Sequence, residues 1–339
     1  MAAANGLTKF GNDLYTGERS VPFIPMRRIW LTIAAVLMLA AIAVPFIRGG
    51  GDPAAGFNFG IEFRGGSQFQ VSDASSVDPD IATEAVHSVV PEADVRVTTV
   101  GGDGVRVQTD QLSDSQTQQV ADALKSAYEA KTVDDSFIGA SWGADITGKA
   151  LQGLGVFLLL AAILMAIYFR TWKMSAAAMF ALLHDLLVTV GVYAATGFEI
   201  TPAAVIGFLT ILGFSLYDTV VVFDKVRENT SEMGTDSPRT FGETVNLAVN
   251  QTLVRSINTG VVAALPVAAI LFLGSFVLGA DTLRDISLAL LVRTLIGTYS
   301  TPFVAAPFYT LLRQGESAIA ERDKRTLAQR ARSVAPSRA

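Results

Sequence analysis

Four ionisable side chains of this 339-residue chain sit where charge is costly. Asp185, Asp218, Arg255 and Arg293 fall inside, or at the start of, long apolar runs. A charged group at bilayer depth is expensive, so such residues are functional candidates by default. Carboxylates and guanidinium groups in that setting can take up protons, release them, or exchange ion-pair partners. Desolvation favours the neutral carboxyl, and a nearby Arg favours the charged one. A site whose helices move between those surroundings would couple proton binding to conformation. A membrane potential supplies about 2.3 kcal/mol per charge for each 100 mV.

Asp218 and Arg255 match each other best. Asp218 lies 6 residues before Asp224, a marker of the boundary of its run, hence about 9 Å deep at 1.5 Å per residue. Arg255 opens the next run on the same side, and its long stem can reach inward. An Asp218–Arg255 pair is expected, either as a structural ion pair or as a proton site. Gly213, Ser215, Tyr217 and Thr219 surround the acid, and Asn258, Thr259 and Gly260 follow the base. Hydroxyls and amides can support a file of water, and small residues let helices approach. Asp185, near mid-membrane, is a further candidate for the network. His184 precedes it and reads as a packed residue whose side chain points away, since a helix turns about 100° per residue. Arg293 is expected to meet a carboxylate or a partner chain, or to snorkel.

Other chemistry is poorly supported. The chain has no Cys and only two His, His87 and His184, far apart. That argues against disulfides, thiolate metal sites and His-built metal clusters. Gly101-Gly102-Asp103-Gly104 is followed by no Gly-Lys-Ser/Thr, so it is not a phosphate loop, and no Walker motif offers ATP. No cofactor is expected beyond a proton gradient. His87 reads as solvated.

The elements that must position these residues are membrane helices. Half of the chain is hydrophobic and 17% is charged, with a mean hydropathy of +0.42. Six runs approach the ~20 residues that span a bilayer: 29–47, 151–169, 174–196, 200–223, 256–278 and 286–312. The first starts late and lacks a clear small-residue cleavage site, so it reads as a span rather than a signal peptide. Lys9, Arg19, Arg27, Arg28, Arg170, Lys173, Lys225, Arg227 and Arg239 share one side with the tail, which carries seven Lys/Arg. By the positive-inside rule the multi-pass chain has both termini on the cytoplasmic side. The tail reads as positive-inside anchoring, or as a patch that attracts anionic lipid. This divides the chain into an arm (1–28), a first span (29–47), an outside domain (48–148), a five-helix bundle (149–312) with a cytoplasmic loop (224–254), and a basic tail (313–339).

The outside stretch is acidic, with 6 Lys/Arg against 16 Asp/Glu. Short alternating runs over Phe57–Val71 break at Gly65–Gly66. Helical spacing covers Asp78–Val90 and Ser113–Ala130, a hairpin pattern covers Val95–Val107, and a closing strand is expected over Phe137–Trp142. The order βαββαβ is that of a ferredoxin-like α+β domain. It shows no catalytic constellation and reads as a binding or mechanical module. The glycine pair reads as a bend that lets the chain cross an adjacent backbone.

Several stretches resemble the SecD/SecF family of the RND superfamily. They are Gly56-Phe57-Asn58-Phe59-Gly60-Ile61-Glu62-Phe63-Arg64-Gly65-Gly66, the fourth-span run Ser215–Asn229, the run Asn250–Thr259 and Gly297-Thr298-Tyr299-Ser300. A single six-span unit resembles the SecF branch. The resemblance implies a ferredoxin-like outside domain and proton-driven help to polypeptide export through the Sec pathway. It implies SecD as partner beside the SecYEG translocon with SecA, YajC as a further candidate, and no nucleic acid. The proton-pathway residues map onto Asp218, Arg255 and Thr259, with Asn258 and Asp185 as further candidates. The signature residues map onto Gly60, Glu62, Phe63, Gly65 and Gly66. Glu62 stands where the motif more often has Asp, and Arg293 where related chains tend to have a small residue. The alternatives are half of a proton-coupled RND-type efflux or lipid transporter, which needs a second related unit, and an intramembrane aspartyl protease. The protease needs two carboxylates about 3 Å apart sharing a proton, and its Gly-x-Gly-Asp motif is missing.

Overall fold

The computed structural model describes residues 2–100, 102–231, 237–274 and 281–334. Gly101 of the hairpin, residues 232–236 of the expected loop, 275–278 of the fifth run and Arg338 of the tail lie outside them. The arm forms a helix, α1 (Ala2–Thr16), that ends at Gly17 with φ 83°, a conformation in which a Cβ would be strained. The first span is α2 (Arg27–Arg48).

The short runs expected over Phe57–Val71, broken at Gly65–Gly66, form three short elements. They are strand β1 (Asn58–Phe59), one helical turn α3 (Ile61–Arg64) and strand β2 (Gly66–Ser72). Helix α4 (Pro79–Val89) follows, then strands β3 (Arg96–Val100) and β4 (Gly104–Thr109), helix α5 (Asp114–Ala127) and strand β5 (Thr132–Ile138). Asp78 caps α4, and a reciprocal Ser113–Gln116 capping box starts α5. The sheet runs β3-β4-β2-β5, antiparallel throughout. Phe69 opposes Val107 and Val71 opposes Val105, so one sheet face is apolar. It buries against Ala82, Val86, Val120, Leu124 and Tyr128. Each large side chain removed from water there contributes about 1.5–3 kcal/mol, which gives a Cys-free domain its own core. His87 is exposed, with its Nε2 3.1 Å from the Ala93 carbonyl oxygen.

The closing strand ends sooner than the sequence suggests. Gly139 is extended (φ −66°, ψ 147°) and caps the long helix α6 (Ala140–Phe169), so Trp142 is already helical. Arg170 at φ 52° terminates α6, and α7 (Trp172–Thr196) begins after one further residue. A short strand β6 (Glu199–Ile200) precedes α8 (Pro202–Ser231). The expected loop 224–254 is mostly helix instead. Helix α8 continues to Ser231, and a Thr240–Glu243 capping box starts α9 (Phe241–Phe272). The sixth run is broken into α10 (Asp281–Ser300), a π-helical turn (Thr301–Ala305) and α11 (Ala306–Arg313). Pro302, which lacks an N–H, sits in that turn. Among the described residues, six helical stretches are long and apolar enough to cross a membrane.

The tail is a docked helix, α12 (Ser317–Val334). Asp323 Oδ1 accepts from Phe241 N at 2.8 Å, and Arg330 pairs with Glu243 at 2.6 Å. Arg313 and Lys173 both meet Glu316, at 2.9 Å each. Part of the tail's basic charge is therefore spent within the chain. The arm reaches the same end of α9. Asn250 Oδ1 accepts from Val21 N at 2.7 Å and Asn246 Oδ1 from Ile24 N at 3.0 Å, while both amides donate to the Val21 carbonyl oxygen.

The βαββαβ domain stands on the bundle through its signature segment. β1 pairs in parallel with β6, Asn58 to Glu199 and Phe59 to Ile200. Gln108 Nε2 donates to Glu199 Oε1 at 2.7 Å, and Arg106 lies 3.4 Å from Glu199 Oε2. Phe57, Phe59 and Phe63 pack onto Tyr193, Ile200, Ala204 and Phe208. Gly65 (φ 80°) and Gly66 (φ 140°) make the bend expected of them. A Cβ on Gly66 would stand 2.4 Å from the Thr109 carbonyl oxygen. Glu62 lies under this joint, with Oε2 buried and without a hydrogen-bond partner among the described residues. Burial holds its carboxyl above the usual carboxylate range, and the Glu199 charge adds to that; its own backbone N–H and Arg106 oppose it.

Two outcomes follow from these joints. Asn246→Ala strands the buried Ile24 N–H, at a cost of about 1–3 kcal/mol. Faster amide exchange over 20–24, with a lower unfolding temperature in detergent, is expected; unchanged exchange would remove the clamp. For Glu62 the folded state binds its proton more tightly than the unfolded one. Its contribution therefore favours the docked joint at low pH and is lost as pH rises through the folded value. Glu62→Gln should flatten this dependence and protect the amides of 58–60 better than wild type near pH ~7. Exchange protection that follows pH equally in both proteins would refute it.

Candidate functional site

Three inner helical segments carry the buried charges. α7, α8 and α10–α11 are about half buried, whereas α2, α6 and α9 expose most of their apolar surface. Small residues bring the helices together. A Cβ on Gly191 would stand 2.4 Å from Ala41 Cβ, and one on Gly260 would stand 2.3 Å from Thr298 Oγ1. α2 thus lies against α7, and α9 against α10, closer than larger side chains would allow.

Asp185 is the hub. Its Oδ2 accepts from Ser215 Oγ of α8 at 2.8 Å and from Ser300 Oγ of α10 at 2.9 Å. Arg293 Nη1 of α10 stands 2.7 Å from the same oxygen, and both residues are buried. Of the roles open to Arg293, the structure selects the intramolecular carboxylate. The contact is an ion pair by distance, and the guanidinium keeps spare donor capacity, because Nε, Nη1 and Nη2 are buried without hydrogen-bond partners among the described residues. His184 is packed as expected, but it does not point away from Asp185. Its Nδ1 lies 3.2 Å from Asp185 Oδ1, and its Nε2 3.4 Å from the Tyr299 hydroxyl. Adjacent helical residues diverge at Cβ, yet a flat ring and a short carboxylate can turn back to one another across that angle.

Asp218 is built differently. Ser256 Oγ of α9 donates to its Oδ1 at 2.9 Å. Its Oδ2 is buried with no hydrogen-bond partner among the described residues. The expected pair with Arg255 is not formed. Arg255 is exposed, and its Nη2 donates to the Tyr217 hydroxyl at 3.3 Å. One residue of helical rotation explains the exchange: Ser256, not Arg255, faces α8. Asn258 is exposed beside Arg255, and Thr259 Oγ1 donates to the Arg255 carbonyl oxygen at 2.8 Å. Of the five pathway candidates, Asp185 and Asp218 are therefore buried, while Arg255, Asn258 and Thr259 lie along an outward side of α9.

Hydroxyl groups connect the two acids. Thr219 Oγ1 donates to the Ser215 carbonyl oxygen at 3.0 Å and lies 3.1 Å from Thr301 Oγ1. Thr301 opens the π-helical turn directly after Ser300, so a break in the helix sits between the two carboxylates' contacts. Such turns recur at functional sites because they re-aim side chains. Ser256, Ser300 and Thr301 went unselected as site residues in the sequence, where buried hydroxyls within apolar runs are common. The signal was their place within or beside the motif runs. The two acids share no hydrogen bond among the described residues, and Arg293 occupies Asp185, which is unlike a proton-sharing dyad. No cluster of three or more His, Asp or Glu able to hold a metal occurs among the described residues.

Comparison with known proteins bears on the same segments. The family model "Protein export membrane protein SecD/SecF, C-terminal" matches residues 119–315, and "SecD/SecF GG Motif" matches 53–72. The chain is 41% identical over 332 residues to protein translocase subunit SecF of Streptomyces coelicolor, covering 97% of this chain and 86% of that one. It is 39% identical to the SecF of Mycobacterium tuberculosis, covering 97% and 75%. The crystal structure of SecDF from Thermus thermophilus, a translocon-associated membrane protein, superposes with a TM-score of 0.72 at 27% identity. That match covers 87% of this chain and 39% of the other. The chain belongs to the SecD/SecF family of protein export membrane proteins.

Proposed function

We propose that the chain works as the SecF-type subunit of the Sec protein translocase. It uses the proton gradient to help draw an exported polypeptide across the bacterial cytoplasmic membrane. The observation that carries the proton role is Asp218, a membrane-embedded carboxyl with one oxygen held by Ser256 and the other without a hydrogen-bond partner among the described residues. An unpartnered buried oxygen is costly, and a proton arriving there relieves part of that cost. The role in export rests on the relatives, which are named protein translocase subunit SecF.

The partner reading has its own support. Arg255, Asn258 and Tyr217 are exposed at a depth where polar groups are costly beside lipid. A second six-span chain, SecD, would cover them. In Thermus thermophilus a matching protein is SecDF, of which this chain spans 36%. The βαββαβ domain, with sheet order β3-β4-β2-β5, supports a ferredoxin-like reading. It is assigned to the outer face, where it meets polypeptide emerging from SecYEG driven by SecA. YajC and lipid are further contacts. Basic residues on the arm and tail favour cytoplasmic termini. No catalytic residue and no cofactor are proposed.

Asp218→Asn keeps the shape and the Ser256 contact but removes the exchangeable proton. In inverted vesicles carrying the translocon and SecD, it should lower gradient-stimulated export to the level seen without this chain. Export at the wild-type rate would overturn the proton role. Arg255→Ala should lose the stimulation as well; full activity there would reduce Arg255 to a structural part.

A further inference from the structure

We propose that Asp185 and Arg293 are a fixed-charge positioning pair that orders the surroundings of Asp218, and that Asp185 keeps its charge through the cycle. This rests on the reading of Asp218 as the proton site.

The two acids are equipped for different work. Asp185 Oδ2 accepts hydrogen bonds from Ser215 and Ser300 at 2.8 and 2.9 Å and lies 2.7 Å from Arg293 Nη1 in an ion pair. His184 faces its other oxygen. Every oxygen of that carboxylate is occupied, and its guanidinium partner cannot be deprotonated in a protein. A proton placed on Asp185 would leave Arg293 as an uncompensated charge in the membrane core, the most costly outcome for a buried pair. Asp218 has one hydrogen-bonded hydroxyl, from Ser256, with the Thr301 hydroxyl and the Arg255 charge of α9 also acting on it, and among the described residues it has a second oxygen without a hydrogen-bond partner and no ion pair.

The pair reaches Asp218 through two routes. On α8, Ser215 is fixed to Asp185, and Thr219, next to Asp218, is bonded to the Ser215 carbonyl oxygen. On α10, Ser300 is fixed to Asp185, and its neighbour Thr301 lies 3.1 Å from Thr219 Oγ1. The turn of α8 that carries Asp218 and the π-helical turn that faces it are both referenced to one carboxylate. The titratable and charged groups facing Asp185 are Arg293 and Tyr299 of α10 and His184 of α7.

The test uses the full chain with its translocon partners in vesicles. Arg293→Gln leaves Asp185 alone and should deplete the folded chain from the membrane. The double variant Asp185→Asn with Arg293→Gln removes both charges at similar volume and should restore abundance. Its gradient-stimulated export should persist, but the midpoint of its pH profile should move by about one unit, because Ser215 and Ser300 no longer bond to a charge. A pH profile superimposable on wild type would reduce the pair to structure. Loss of all gradient stimulation, as in Asp218→Asn, would make Asp185 a proton carrier and overturn the proposal. A second measurement needs no folded double variant. Infrared difference spectra of the wild-type chain across pH should contain a protonated-carboxyl band that Asp218→Asn removes. A remaining buried-carboxyl band, assigned by isotope editing to Asp185, would also overturn it. If Asp218→Asn exports at the wild-type rate, the reading of Asp218 fails by itself, and the infrared result on Asp185 still stands separately.

Discussion

The contact between Arg293 and Asp185 is the one on which the membrane half of this molecule depends. It places two opposite charges, both buried, 2.7 Å apart in the middle of an apolar bundle. Neither is tolerable there without the other. Because the acid also accepts from Ser215 and Ser300, three segments, α7, α8 and α10, are registered on a single oxygen atom. Apolar helix faces in lipid slide over one another at little cost, since lipid is as apolar as they are. A directional polar hub removes that freedom, which a stripe of leucines cannot do.

Much of this was legible in advance. The six spans follow from runs of apolar residues, and the βαββαβ order follows from a change between two-residue and 3.6-residue periods. The costly charges announced themselves by contrast with their background. Which acid meets which base did not. Asp218 and Arg255 sit at matched depths, but depth leaves the rotation of α9 undetermined, and the structure turns Ser256 toward α8 instead. Arg293 looked anomalous from its own span alone, because its partner lies over 100 residues away in sequence. The continuation of α8 to Ser231 was masked by its charges, which read equally well as loop or as the solvated end of a helix.

The signature segment shows how a short motif can serve several structural needs. Its aromatic residues enter the apolar top of the bundle, its backbone extends the β6 pairing, and its glycines let the chain pass close to Thr109. Glu62 adds an acid with a poorly satisfied oxygen beneath that joint. The domain is therefore seated by aromatic packing, a strand pairing and polar contacts together.

The junction at Gly139 has a mechanical meaning. β5 is the edge strand of the sheet, bonded along its length to β2, and a single residue separates it from a helix of 30 residues. At 1.5 Å per residue that helix is about 45 Å long, enough to cross the whole bilayer. A strand and a helix are both stiff along their axes, and little slack lies between them. The edge of the sheet and a helix long enough to cross a bilayer are thus tied through Gly139 alone, so the order of one limits the orientation of the other.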